Sequence, residues 1–141
     1  MEAAIMTDGL TAEEYNALRV SVGWKPATEG QAERGLQHTT FLAVARDGEQ
    51  AVAMGRALFD FGYTAYIGDI IVAPAYQRRG IGRRIMESLL AQVTQAAEPG
   101  DRIMFLLGAA KGKEAFYETF GFQKRPNEND GYGMTLWQTA E

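Results

Sequence analysis

The stretch Gln77-Arg78-Arg79-Gly80-Ile81-Gly82-Arg83-Arg84 brings together the residue types that hold an oxyanion through the backbone. It lies between an apolar run, Ile70-Ile71-Val72-Ala73-Pro74, and a helical pattern that begins at Ile81. The first turn of a helix presents N–H groups with no intrahelical acceptor and carries partial positive charge. Glycines let an anion come close to that backbone, because no Cβ stands in the way. Arg78, Arg79, Arg83 and Arg84 add positive potential. Phosphate or pyrophosphate is the ligand chemistry that fits. Two familiar phosphate strings do not fit. No Gly-x-x-x-x-Gly-Lys-Ser/Thr occurs, and the run Gly-Ile-Gly-Arg-Arg-Ile from Gly80 lacks the third small residue of a dinucleotide fingerprint. Taken alone, a Gly-x-Gly more often only shapes a turn beside solvated arginines.

The inventory closes off other chemistry. There is no cysteine, so disulfides, thiolate metal sites and a thiol nucleophile are excluded. The single histidine, His38 between Gln37 and Thr39, reads as a polar loop residue and leaves no basis for a histidine triad or a multi-histidine zinc site. A formal net charge of −4 argues against nucleic acid or an anionic membrane as partner and leans slightly toward cationic small molecules. No apolar run approaches the roughly 18 residues of a membrane helix. The opening Met1-Glu2-Ala3-Ala4-Ile5 lacks the basic start and apolar stretch of a secretory signal, so a cytoplasmic location is expected.

The elements that must position the loop follow from spacing. Ala3–Met6 reads as a short strand closed by Asp8-Gly9. Thr11 and Glu14 have the form of a capping box, and Tyr15, Leu18 and Val22 carry a helix to about Val22. Gly23-Trp24-Lys25-Pro26 breaks it, and Thr28-Glu29-Gly30-Gln31 starts a weaker helix that fades near Gln37. Thr40–Ala45, Ala51–Phe59 and Thr64–Val72 read as an antiparallel meander punctuated by Asp47-Gly48 and Phe61-Gly62. Pro74 stops the third of these strands and Gly80 opens a helix. Ile81, Ile85, Leu89 and Val93 make its apolar ladder, widened by Met86 and Leu90, leaving Arg83, Glu87 and Gln92 to solvent. Pro99-Gly100 ends it. Arg102–Leu107 reads as a buried strand. Lys111–Phe120 reads as a short helix with Phe116 and Phe120 on one face and Gly121 as its stop, and Phe122–Lys124 and Met134–Gln138 as a last pair of strands. The order is β-α-α-β-β-β-α-β-α-β-β. The expected fold is α/β of the α+β kind, with a mixed, largely antiparallel central sheet and flanking helices, in a single domain over residues 1–141.

Gln77-Arg78-Arg79-Gly80-Ile81-Gly82, after Val72-Ala73-Pro74, resembles the Gln/Arg-x-x-Gly-x-Gly/Ala signature of the GCN5-related N-acetyltransferase (GNAT) superfamily. Ala115-Phe116-Tyr117-Glu118-Thr119-Phe120-Gly121-Phe122 resembles that family's Phe-Tyr-x-x-x-Gly-Phe block. The element order is similar too, so the resemblance spans nearly the whole chain. It implies the acyl-CoA N-acyltransferase fold, with acetyl-CoA as cosubstrate and no metal. In that family the fourth and fifth strands splay, and the pantetheine arm lies in the gap. By resemblance, the backbone of Ile70, Ile71 and Val72 should bond the pantetheine as an added strand does. Arg78, Arg79, Gly80, Ile81, Gly82 and Arg83 should hold the pyrophosphate. One departure is Ala110, where many members carry a cofactor-binding Asn; Lys111 and Lys113 stand nearby for a CoA phosphate.

The reaction so implied is direct acetyl transfer to a primary amine, which suits a chain without cysteine. The amine must lose a proton, the thioester carbonyl must be polarised and the departing thiolate must be protonated. A phenol of pKa about 10 stays protonated at neutral pH and suits the last task; the family's general-acid tyrosine aligns with Tyr117. Asp69 is a carboxylate inside an apolar strand. It is a candidate to orient or deprotonate the acceptor, and equally a candidate structural partner for an arginine such as Arg56. Asp60 and Glu114 are weaker candidates for base. Trp24 falls where the family often walls the acceptor pocket, with Phe59 and Tyr66 as further aromatics that could equally be core. The rival reading is a non-catalytic acyl-CoA-binding or sensing module on the same fold. A small-molecule amine and a protein amine both stay open as acceptor, as do a homodimer and an acyl group other than acetyl.

Overall fold

Residues 3–141 are described by a computed structural model. The chain divides into two compact units between Leu106 and Leu107. The first contains β1 (Ala4–Met6), α1 (Ala12–Ser21), α2 (Glu29–Gln37), β2 (Phe41–Asp47), β3 (Gln50–Phe59), β4 (Thr64–Val72), a 3-10 turn (Pro74–Tyr76), α3 (Ile81–Ala96) and β5 (Met104–Leu106). The second contains α4 (Glu114–Glu118).

Local chemistry starts the helices where the sequence indicates. Thr11 accepts from the Glu14 N–H while Glu14 accepts from the Thr11 N–H, so the capping box of α1 is closed in both directions. Thr28 caps α2 through the Gln31 N–H. Gly80 occupies the N-cap position of α3 in the left-handed region, φ 79°, a conformation glycine adopts without steric cost. On α3, Ile81, Ile85, Met86, Leu89 and Val93 are buried along one stripe. Gln92 is half-buried rather than free to solvent, because its amide donates to the Leu42 carbonyl.

The five strands of the described residues lie in chain order, β1-β2-β3-β4-β5. Every pair is antiparallel except β4–β5, which is parallel because α3 carries the chain back across the sheet between them. Neighbouring residues of β3 show the two faces. Met54 joins Ala12, Tyr15, Leu18, Ala32 and Ile71 in the core under α1 and α2. Gly55 faces α3 so closely that a Cβ there would stand 2.7 Å from Ile85 Cγ2 and 2.9 Å from Leu89 Cδ1.

Two expectations about strands are corrected. Arg102–Leu107 shrinks to Met104–Leu106, and its outer residues are 46% and 38% exposed rather than buried. Among the described residues it is an edge strand bonded on one side only, to β4, and its alternate residues face solvent. Phe122–Lys124 and Met134–Gln138 form no strand. The 107–141 unit holds no strand to pair with them, and a strand is not stable without a neighbour. Met134, Leu136 and Trp137 accordingly stand exposed. The mixed, largely antiparallel sheet with helices on its faces is as expected.

Candidate active site

β5 reaches only the first part of β4: Thr64 pairs Met104, Ala65 pairs Phe105 and Tyr66 pairs Leu106. From Ile67 to Val72 no strand pairs with β4 on that side among the described residues. Backbone groups alternate in direction along a strand, so part of the Ile70-Ile71-Val72 backbone points into this open edge while Ile71 and Val72 pair Met54 and Ala53 on the other.

A bulge produces the divergence. Met54 pairs Ile71 and Arg56 pairs Gly68, so Asp69 and Ile70 together oppose Gly55. Asp69 takes a left-handed φ of 52°, which aspartate tolerates better than most residues. Such an insertion bends its strand and re-aims a side chain. Ile70 turns toward α3, its Cδ1 2.5 Å from where a Cβ on Gly55 would lie. The Asp69 side chain turns to the α1 side and meets three donors. Its Oδ2 accepts from the Tyr15 hydroxyl at 2.8 Å and from Arg56 Nε at 2.7 Å, and its Oδ1 accepts from Arg19 Nη1 at 3.3 Å. Of the two sequence readings of Asp69, the arginine partnership is thus present, and it includes two arginines. Burial first, then the bond to Asp69, pushes the Tyr15 phenol above its ordinary pKa, so it stays a neutral donor.

The Gln77–Arg83 loop continues from β4 through the Pro74–Tyr76 turn. The Gln77 amide donates to the Val72 carbonyl at 2.9 Å, closing the turn. Tyr76 donates to Asp47 at 2.6 Å, and the Arg79 guanidinium lies 5.3 Å over the Tyr76 ring, tying the loop to the β2–β3 hairpin. Arg78 takes φ 63°, a costly conformation for a non-glycine residue that proteins keep mainly at functional sites. Gly80 stands at the N-cap with no side chain to accept from the first turn of α3 as a serine or aspartate would. Open space lies beyond Gly80, with nothing within 4 Å of a Cβ built there. Arg84 is spent elsewhere, donating to the Ala3 carbonyl at 2.6 Å. These features fit a pyrophosphate.

Other named residues separate. Trp24 is half-buried, its ring 5.6 Å from the Arg19 guanidinium carbon, which lies the same distance from the Tyr15 ring. Phe59 belongs to the core, and Tyr66 is 41% exposed. Asp60 accepts from the Gly62 and Thr64 N–H groups, which makes it a turn residue of the β3–β4 hairpin. His38 is exposed at the C-terminal cap of α2. In the second unit, Tyr117 is buried in α4, its ring 5.0 Å from Phe116 and 6.2 Å from Phe122. Glu114 accepts from the Gly112 N–H at the start of that helix. Arg19 and Tyr15 were not legible as site residues; their spacing of four on one helix shows only that they share a face.

A mixed five-stranded sheet whose parallel β4–β5 pair is joined through α3 is a fold this chain shares with solved acetyltransferases. The acetyltransferase (GNAT) domain family model matches residues 37–124, more than half the chain and across both units. The protein belongs to the GNAT family. It is 33% identical over 86 residues to GCN5-related N-acetyltransferase 1, chloroplastic, of Arabidopsis thaliana, a match covering 60% of this chain and 44% of that protein. It is 27% identical over 135 residues to the uncharacterized N-acetyltransferase ycf52 of Porphyra purpurea, covering 93% and 74%. A solved structure from meticillin-resistant Staphylococcus aureus, described as a probable acetyltransferase of unknown function, superposes with a TM-score of 0.85 at 31% identity, covering 97% of this chain and all of the other. The chain spans less than half the length of the Arabidopsis relative.

Proposed function

We propose that residues 1–141 act as one acetyl-CoA-dependent N-acetyltransferase domain that acetylates a primary amine. The observation that carries this reading is the continuity of the open Ile67–Val72 edge of β4 with the uncapped start of α3. An extended pantetheine arm needs unpaired strand backbone, and a pyrophosphate needs unpaired N–H groups and positive charge. Ile70, Ile71 and Val72 hold the arm. Arg78, Arg79, Gly80, Ile81, Gly82 and Arg83 hold the pyrophosphate, chiefly through the backbone. Bound acetyl-CoA supplies an activated acetyl thioester, so the chain needs no nucleophile of its own. Tyr117 donates its Oη proton to the departing thiolate, a role that rests on its match to the family block. Asp69 serves the acceptor side. Its carboxylate already accepts three hydrogen bonds, which favours a positioning role beside the acceptor over proton removal, and Trp24 lines the same side.

Free-thiol release from acetyl-CoA, measured against a panel of amines, tests the reading together with the melting temperature. Acetyl-CoA at a hundred times its Kd should stabilise the protein by about 2.7 kcal/mol, and at least one amine should accelerate thiol release. Stabilisation without amine-dependent release would instead favour the acyl-CoA-sensing module. No stabilisation at saturating ligand would count against the site itself.

A further inference from the structure

The charge around Asp69 is unbalanced. Two guanidiniums, Arg19 and Arg56, surround one carboxylate, and neither arginine pairs with any other acid among the described residues. Tyr15 completes the cluster as a neutral donor. The group therefore carries a net +1 in a chain whose total is −4, opposite to the cationic partner that the overall charge suggests.

Both arginines are held rather than mobile. Arg19 donates from Nε to the Lys25 carbonyl at 2.8 Å and from Nη1 to Tyr15 and Asp69, with the Tyr15 and Trp24 rings flanking it. Arg56 donates from Nε to Asp69 and from Nη1 to the Gly35 carbonyl and the Thr39 hydroxyl. In each case Nη2 has no partner among the described residues. No buried side-chain nitrogen in the described residues is left unsatisfied, so both Nη2 groups reach solvent. Their side chains are 23% and 24% exposed. A guanidinium fixed through Nε and one Nη, with the other Nη open, is pre-organised to receive an oxyanion. An ammonium group would meet net repulsion there.

We propose that the acceptor amine carries an anionic group, a carboxylate or a phosphate, which Arg19 and Arg56 receive through their free Nη2 donors. Asp69 is the positioning residue that holds the two arginines side by side. This assignment rests on the acetyltransferase reading and narrows its acceptor.

The test uses paired acceptors that differ only in the anion: glucosamine 6-phosphate against glucosamine, and L-amino acids against their amides, with spermidine and tyramine as cationic controls. The acidic member of at least one pair should be acetylated with a KM about ten-fold or more below its neutral partner, and which pair responds distinguishes phosphate from carboxylate. Arg19→Gln should raise the acidic member's KM by about ten-fold and close most of the gap to its neutral partner, while acetyl-CoA affinity is retained; Arg19→Lys should restore part of the gap by restoring the charge. Binding of acetyl-CoA with turnover confined to neutral or cationic amines, or with none of the acidic ones, overturns the anionic acceptor and leaves the cofactor site standing. So does an Arg19→Gln protein that loses both members of a pair equally, which is the mark of a purely structural arginine. Failure to bind acetyl-CoA overturns the acetyltransferase reading instead.

Discussion

Gly55→Ala probes the point at which sheet, bulge and long helix meet. Gly55 is buried in β3 opposite the two bulge residues. An added Cβ would lie 2.5 Å from Ile70 Cδ1, 2.7 Å from Ile85 Cγ2 and 2.9 Å from Leu89 Cδ1. All three distances are well inside the 3.5–4.0 Å at which carbon atoms attract. Ile85 and Leu89 are fully buried, so neither end can swing into open space. Either α3 lifts from the sheet or the bulge shifts. Overpacking of this kind costs about 1–3 kcal/mol, offset by about 0.4–1 kcal/mol from the lower entropy of an unfolded chain with alanine in place of glycine. The central figures leave a net loss of about 1.3 kcal/mol, which should appear as a lower midpoint in urea unfolding with an unchanged slope. Because Ile70 sits in the bulge beside Asp69, acetyl-CoA affinity should fall as well. A Gly55→Ala protein as stable as the parent would refute the packing argument, since the clash is the whole of the expected cost.

Tyr117→Phe removes one hydroxyl and should lower kcat by about a hundred-fold with little change in acetyl-CoA affinity; a full-rate variant removes Tyr117 from the mechanism. Glu14 should shape stability at low pH. Its hydrogen bonds to Arg46 are the main reason its carboxyl sits at about 2 rather than the ordinary 4.5. A depressed pKa contributes stability in full above pH 4.5, and that contribution disappears as pH falls from 4.5 to about 2. Allowing for a pair about a quarter exposed, the loss should be about 1–3 kcal/mol. Urea midpoints measured across that window should fall more steeply for the parent than for Glu14→Gln, and parallel profiles would refute the assignment.

What the sequence determined by itself lies within a few residues of the backbone. A capping box needs only Thr11 and Glu14 three apart, and both of its bonds form. The start of α3 at Gly80 and its buried stripe follow from glycine's conformational freedom and a repeat of three to four residues. The glycine and arginine content of Gln77–Arg83, on which the proposed pyrophosphate site rests, is local for the same reason. What only the tertiary structure decided depends on partners far along the chain. Arg102–Leu107 is apolar enough for a buried strand, but a single neighbour leaves its outer residues exposed. Met134–Gln138 is apolar enough for a strand, but composition supplies no edge to pair with. Asp69 is the sharpest case. Its own neighbours say only that a carboxylate interrupts an apolar strand; the donors that explain it come from Tyr15 and Arg19, 54 and 50 residues away. A bulge at its own backbone turns it toward them. Periodicity reports which face a residue prefers, whereas the identity of what waits on that face is set by how distant elements pack.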